Sequence, residues 1–303
     1  MMAVMELEDK IHKSVMLNEV LEYLCLKPGM TVVDATVGMG GHSLSMLGQI
    51  CPGGKLIGID RDEESLEIAR GNLKDYSGNF ELAHGSFSDI DALLAKQNIG
   101  KVDAILLDLG ISSFQLDSAE RGFSFQSDGP LDMRMDRSSY ISAYDLVNNL
   151  NEEEISTLLW NFGQERWHNR IARSLVRERQ KAPIATTAQL SEIVMKAIPY
   201  QNKHYRIHPA TRTFQAVRIA VNRELETLES ALNKGIELLN AGGRICVIAF
   251  HSLEDRVVKL RFRDFSSREI ARIITPKPLT PLLSEMDQNP RSRSSKFRVV
   301  ERI

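Results

Sequence analysis

The sequence predicts an α/β protein, a parallel sheet with helices on both faces, interrupted by a mostly helical insertion. Three observations carry this expectation. Four short apolar runs between residues 31 and 109 alternate with stretches able to form helices or crossovers, the order that builds a parallel sheet with right-handed connections. The strand signal then stops between about Gln115 and about Phe214. It returns at AGGRICVIAF, a buried-strand run behind a glycine turn. The expected organisation is a first part of the sheet domain over residues 1–115, the insertion over 116–214, and the second part over 215–303.

The elements follow in order. VMLNEVLEYL, residues 15–24, has the spacing of an amphipathic helix and is closed by the turn KPG at Lys27 to Gly29. Strands are expected at TVVDA from Thr31, KLIGID from Lys55, NFELAHGSF from Asn79 and VDAILLDL from Val102. ESLEIARGNLKDY supplies a helix after the second. The insertion opens on the loop-like RGFSFQSDGPLDMRMDRSS, in which Asp132, Arg134 and Asp136 alternate with Leu131, Met133 and Met135. Such alternation fits either a strand or an ion-paired loop. RTFQAVRIAVNRELETLESALNKGIELL reads as one long amphipathic helix, and FRVVERI offers a last strand that an antiparallel placement would suit.

With 43% hydrophobic and 26% charged residues in 303, the composition is that of a soluble globular protein. No apolar run reaches the about eighteen residues of a membrane span, and the acidic N-terminus MMAVMELEDK lacks the character of a secretory signal. A cytoplasmic protein without membrane association is expected. Cys25, Cys51 and Cys246 are widely spaced and outside any CxxC pattern, which argues against a disulfide framework and against a zinc cluster. No metal site is expected.

The net charge of −2 hides a segregation. From Arg166 to Arg223 there are twelve Lys and Arg against two acids, a local +10 that leaves −12 for the rest. Arg166, Arg170, Arg173 and Arg177 are spaced to share one face of a helix, with Trp167, Ile171 and Leu175 on another. One such stripe is ordinarily a solvated face; within a basic region of this length it points to a polyanion. The tail NPRSRSSKFR adds Arg291, Arg293, Lys296 and Arg298.

The stretch VVDATVGMGGHS places Gly38, Gly40 and Gly41 in a strand-to-helix turn, where absent side chains admit a ligand close to the backbone. It is not a phosphate-gripping P-loop, because no lysine follows. The dinucleotide fingerprint GxGxxG is only partly met, since Ser43 stands where the third glycine belongs. Asp60 ends the next strand twenty residues after Gly40, the separation at which a carboxylate receives ribose hydroxyls; it could equally cap the following helix. Asp34, at the end of the first strand, would repel a pyrophosphate and attract a sulfonium or an amino group. This favours S-adenosylmethionine over NAD. A nicotinamide-dependent oxidoreductase, with Arg61 on a 2′-phosphate, is the competing reading, and a noncatalytic RNA-binding protein is a third.

DLGISSFQ at Asp108, with HKSVML at His12, RGFSFQSDGPLDMRMD at Arg121, HPATRTFQAVRIAVNRE at His208, FHSLEDRVVK at Phe250 and NPRSRSSKFR at Asn289, closely resembles the bacterial ribosomal RNA small-subunit methyltransferase H family, nearly end to end. The resemblance implies a Rossmann-like methyltransferase domain with a helical insertion. It also implies S-adenosylmethionine as cofactor and N4-methylation of a cytidine in the decoding region of 16S rRNA, with the small ribosomal subunit as partner. The donor site it implies comprises Gly40, Gly41, His42, Asp60, Phe87, Asp108 and Gln115, with His42 contacting through its backbone N–H. A homodimer is left open.

Cytosine's amino nitrogen is conjugated with its ring and is a poor nucleophile. An acceptor held against its N–H favours pyramidal geometry and frees the lone pair. Many amino methyltransferases place Asp or Asn before Pro-Pro-Tyr or Pro-Pro-Phe for this; here Leu109, Gly110 and Ile111 follow Asp108. Asp108 is therefore the expected catalytic residue, without the stacking aromatic. Methylation at carbon 5 would instead require a cysteine nucleophile, and Cys246 lies inside an apolar strand. His251, at the end of the restored strand, is expected to border the acceptor pocket. Ser252 and Asp255 have the spacing of a helix cap. Arg166, Arg170, Arg173, Arg212 and Arg218 are the expected RNA contacts, with salt bridges to the sheet domain as the alternative for Arg212 and Arg218.

Overall fold

The computed structural model describes residues 14–199 and 208–303; His12 and Lys13 of the HKSVML motif lie outside them. The chain forms two compact units. The first runs to Gly110 and resumes over Leu225–Ile303, and the second is Ile111–Glu224. The second unit is wider at both ends than the expected 116–214.

In the first unit the expected apolar runs form β1 (Thr31–Asp34), β2 (Lys55–Asp60), β3 (Phe80–His84), β4 (Val102–Asp108) and β5 (Leu239–Ala249). Two further strands, β6 (Ala271–Ile273) and β7 (Lys296–Arg302), complete a seven-stranded sheet in the order β3-β2-β1-β4-β5-β7-β6. The first five pair in parallel, and β7 runs antiparallel to β5. Successive strand residues point to opposite faces, and both faces are covered, so apolar residues are needed at both parities. Val33, Ile57, Ile105 and Leu107 pack on one side with α11 (Glu224–Leu238) and α12 (Ser252–Ser267). Val32, Leu56 and Leu106 pack on the other with the helices α1 (Leu17–Leu24) and α2 (Gly41–Ile50). A third helix, α3 (Glu63–Asn72), follows β2 and starts at Asp62, whose carboxylate accepts the Glu64 N–H at 3.2 Å. Asp60 is thus not its cap. Helix α4 (Ile90–Lys96) leads into β4.

The second unit holds α5 (Ser113–Asp117), α6 (Ala143–Asn149), α7 (Glu152–Gly163), α8 (His168–Arg179), α9 (Thr187–Ala197) and α10 (Thr211–Asn222), and no strand among its described residues. Its own core gathers Leu159, Ile171, Leu175, Leu190, Val194 and Phe214. The alternating DGPLDMRMD segment is the ion-paired loop rather than a strand. Arg134 grips Asp132 through two hydrogen bonds of 2.8 and 2.7 Å, and the buried Arg121 donates to the carbonyls of Arg134 and Met135. Asn222 clamps the same loop through Met133 and Met135.

The expected single helix from Arg212 is two. Arg223 adopts a left-handed conformation, φ 50°, between α10 and α11. The amphipathic period continues across the break because each half serves a different core. Phe214, Ala216 and Val217 belong to the insertion, and Leu228, Leu232 and Ile236 to the sheet. No helix among the described residues is long and apolar enough to cross a membrane.

Candidate active site

The parallel registers bring the ends of β1, β2, β3, β4 and β5 to one edge of the sheet, the edge at which open parallel sheets bind ligands. There the glycine turn leaves β1 for α2. Gly38 and Gly40 have φ of +51° and +88°, and the Gly40 N–H closes the turn on the Val37 carbonyl at 2.7 Å. Alanine at Gly40 would carry a strained left-handed backbone and press on Leu73 at 3.4 Å. Gly40→Ala is expected to cost about 1–2 kcal/mol, lowering the melting temperature by about 2–4 °C; calorimetry on the purified chain measures it.

Asp60 braces this turn. Its Oδ2 accepts the Gly38 N–H at 2.8 Å and its Oδ1 the Asp62 N–H at 2.9 Å. Burial raises its carboxyl above the ordinary value, and the two N–H donors work against that rise. The carboxylate expected to meet a ribose therefore also sets the shape of the loop beside it.

Three further acids lie close to the edge. Asp34 is buried, accepts the Ser43 hydroxyl at 2.6 Å and the Thr36 N–H at 3.3 Å, and burial pushes its carboxyl up to about 6 against those bonds. Asp108 ends β4 with its backbone N–H donating to Thr36 Oγ1 at 2.7 Å. Its Oδ1 is buried without a hydrogen-bond partner among the described residues. Desolvation, then the charges of Asp34 and Glu254, raise its carboxyl well above the usual range. Glu254 is itself buried, and its Oε2 accepts the N–H groups of Phe250 and His251 at 2.8 and 3.2 Å.

The His42 side chain is turned inward to the same edge. The ring is 6% exposed, and Nε2 lies 3.0 Å from the Val15 carbonyl. A carbonyl only accepts, so Nε2 carries a proton, and Nδ1 lies 3.6 Å from Asp108 Oδ2. Phe87 follows β3 in a short 3-10 turn, with the Arg61 guanidinium 5.1 Å from its ring centroid. That placement gives Arg61 an aromatic partner on the chain itself. His251 caps α12: its Nδ1 accepts the Glu254 N–H and the Glu254 side chain returns to its backbone. The cap is one residue earlier than the expected Ser252 and Asp255 pair. Asp255 instead binds Arg298 at 2.6 Å and Lys296 at 3.1 Å, so these two cations of the tail are neutralised within the sheet domain. Cys246 is buried and its thiol is pushed well up by that burial, which removes it as a nucleophile.

The remaining expected residues belong to the second unit. Gln115 is buried and spends its side-chain oxygen on the Ser112 N–H in a capping box on α5. Arg166 lies before α8, not on it, and with Arg170 flanks the Trp167 ring at 5.0 and 5.9 Å. Arg173 is exposed beside Glu152. Arg212 is exposed and donates to the Gln164 carbonyl. Arg218, expected to contact RNA, is held by Glu224 through two bonds of 2.8 and 2.9 Å; this pairing occupies its fork and fits a structural role. A cavity of about 400 Å³ in this unit is lined by Arg177, Lys181, Ile184, Ile193 and Lys196; Arg177 and Lys181 share Glu178, and Lys196 pairs with Glu192.

Sequence reasoning missed Thr36, Ser43 and Glu254. The first two stand two and nine residues beyond Asp34 and could have been suspected from the turn. Glu254 had a signal too, in the capping-box spacing from His251, but its approach to Asp108 depends on the pairing of β4 with β5.

The residues present fit a cationic adenosyl donor. A glycine turn opens beside a ribose-range carboxylate, and buried acids with raised carboxyls, one bearing an oxygen without a partner among the described residues, are relieved by a positive charge. The profile of the MraW methylase family matches residues 9–303. The chain is 47% identical to the ribosomal RNA small subunit methyltransferase H of Trichlorobacter lovleyi, over 98% of this chain and 100% of that one. It is 44% identical to the protein of that name from Halothermothrix orenii, over 96% and 98%. The crystal structure of an rRNA methylase from Streptococcus thermophilus covers 97% of this chain and 99% of its own, at 12% identity and a TM-score of 0.47. The chain belongs to the MraW methylase family, and its cofactor is S-adenosylmethionine.

Proposed function

We propose that this protein methylates the exocyclic N4 of a cytidine in the decoding region of 16S rRNA, acting on the small ribosomal subunit in the bacterial cytoplasm. The observation that carries this reading is the Asp108 carboxyl, buried at the end of β4 with one oxygen left without a partner among the described residues. When bound, S-adenosylmethionine supplies an electrophilic methyl group on a sulfonium. Gly40, Gly41 and His42 of the turn, with Asp60, Phe87 and Asp108, would hold it.

The chain's own residues do the rest. Asp108 accepts a hydrogen bond from the target amine, which draws that nitrogen toward pyramidal geometry and exposes its lone pair. Methyl transfer would form the N–C bond as the donor's S–C bond breaks and leaves a neutral thioether, and Asp108 would take the proton that the nitrogen loses. Asp34 and Glu254 oppose a further negative charge there, so the same carboxyl takes up a proton readily. His42, its ring anchored on Val15, faces Asp108 through Nδ1 at 3.6 Å. Positioning of the two reactants supplies much of the acceleration.

The insertion Ile111–Glu224 is the RNA-facing part in this reading, because it contains the basic segment and RNA targets of this kind must be splayed out of their stack to be reached. Family membership removes the nicotinamide-dependent alternative. Mass spectrometry of rRNA nucleosides from cells with and without the protein tests the product. Loss of N4-methylated cytidine supports it, and an unchanged nucleoside profile rejects it.

A further inference from the structure

We propose that Trp160 is a stacking platform for an unpaired base of the RNA substrate. The inference rests on the reading of the insertion as RNA-facing and names the site that would grip the strand. Helix α7 buries Ile155, Ser156, Leu159 and Gly163, yet Trp160 of the same helix is 56% exposed. A lone exposed aromatic is ordinary. This one is built into a supported pair.

The His168 ring lies 5.1 Å from the Trp160 ring, tilted by 45°. His168 is fixed from behind. The Ser156 hydroxyl donates to Asn169 Oδ1 at 2.7 Å, which leaves Ser156 Oγ as the acceptor for His168 Nδ1–H, also at 2.7 Å. His168 therefore stands at a fixed position at the start of α8, beside the exposed indole of α7, and little of its own side-chain freedom remains to be lost on binding.

The charge around the pair selects the ligand. Arg166 and Arg170, two residues to either side of His168, bracket the Trp167 ring, while Arg173, one turn further along α8, is paired with Glu152. No acid occurs between Arg166 and Arg177. An apolar protein segment would meet this cation cluster at a desolvation cost, whereas a single-stranded polyanion brings phosphates for the arginines and a π-face for the indole. Base stacking on an aromatic is sequence-tolerant, so the platform would hold a nucleotide flanking the target rather than read it.

The test compares the full-length wild type with Trp160→Ala and Trp160→Phe, using single-stranded hexauridylate and purified small ribosomal subunits as probes. Trp160 and Trp167 are the only tryptophans of the chain, so oligonucleotide stacking on Trp160 is expected to quench a large part of the intrinsic emission. Trp160→Ala is expected to weaken oligonucleotide binding by about 5- to 150-fold, with Trp160→Phe retaining most of it, and with the melting temperature and S-adenosylhomocysteine affinity unchanged. Wild-type affinity and no quenching, in a protein that methylates small-subunit RNA, would overturn the platform and leave the methyltransferase reading intact. Unchanged oligonucleotide affinity with weakened subunit binding would reassign Trp160 to a ribosomal protein contact and likewise overturn it. A wild type that neither binds RNA nor transfers methyl groups to it would sink both readings.

Discussion

Asp108→Ala is expected to lower methyl transfer to small ribosomal subunits by about 10²- to 10⁴-fold, the range supplied by a positioned proton acceptor. The substitution removes the only group at the end of β4 that combines a buried site with an oxygen lacking a partner among the described residues. It also removes one member of a crowded set of acids, Asp34 and Glu254 being the others. The fold should therefore tolerate it, and relief of that repulsion should leave the melting temperature equal or higher. Single-turnover transfer under saturating donor and subunit separates chemistry from binding. A loss confined to donor affinity, with the single-turnover rate at saturation intact, would confine Asp108 to the donor site and leave the proton acceptor unassigned.

Donor affinity is expected to rise with pH between 5 and 7.5. Asp34 titrates at about 6 in the folded chain against an ordinary 3.8, so between these values the folded state holds more protons than the unfolded one. Stability without ligand is then fully present below about pH 4 and is lost as pH rises toward 6. The change is on the order of 3 kcal/mol for this group. A cation in the site reverses the preference, because it favours the ionised carboxyl. One coupled proton gives up to about a tenfold gain in affinity per pH unit below the carboxyl's own value, and Asp108, raised in the same direction, adds to the slope. Calorimetry in buffers of different ionisation enthalpy counts the protons released on S-adenosylmethionine binding. Asp34→Asn should flatten the dependence and stabilise the unliganded protein above pH 6. An affinity that stays level from pH 5 to 7.5 would mean that these carboxyls do not sense the donor's charge.

The strands of the first unit were legible because they are apolar at both parities and are set off by turn residues. Strand β6 was not: Ala271–Ile273 is three residues long within a mixed segment, and only its pairing with β7 makes it a strand. The division between α10 and α11 was hidden because a continuous amphipathic pattern does not reveal that its apolar face changes partners at Arg223. The glycine turn and the carboxylates at strand ends could be read from spacing, since each depends on a local strand-to-helix connection. What surrounds them could not. The Asp108 environment joins β1, α2, β4 and the start of α12, elements separated by up to 220 residues of chain. Its assembly depends on the order of strands in the sheet. The charge stripe was legible as a count but not as geometry. Arg166 falls outside the helix, Arg218 is spent on Glu224, and Lys296 and Arg298 are spent on Asp255. Each of these cations was equally basic in the sequence; partners distant in the chain or supplied by folding decide which ones remain for a ligand.

The most direct measurement combines the purified protein, small ribosomal subunits from cells that lack it, and S-adenosylmethionine carrying an isotopic label in the methyl group. Nuclease digestion and mass spectrometry of the nucleosides then locate the label. The account predicts labelled N4-methylcytidine, recovered from the decoding-region fragment and lost with Asp108→Ala. Label on carbon 5 of a pyrimidine, on a ribose oxygen, or on no nucleoside at all would contradict it.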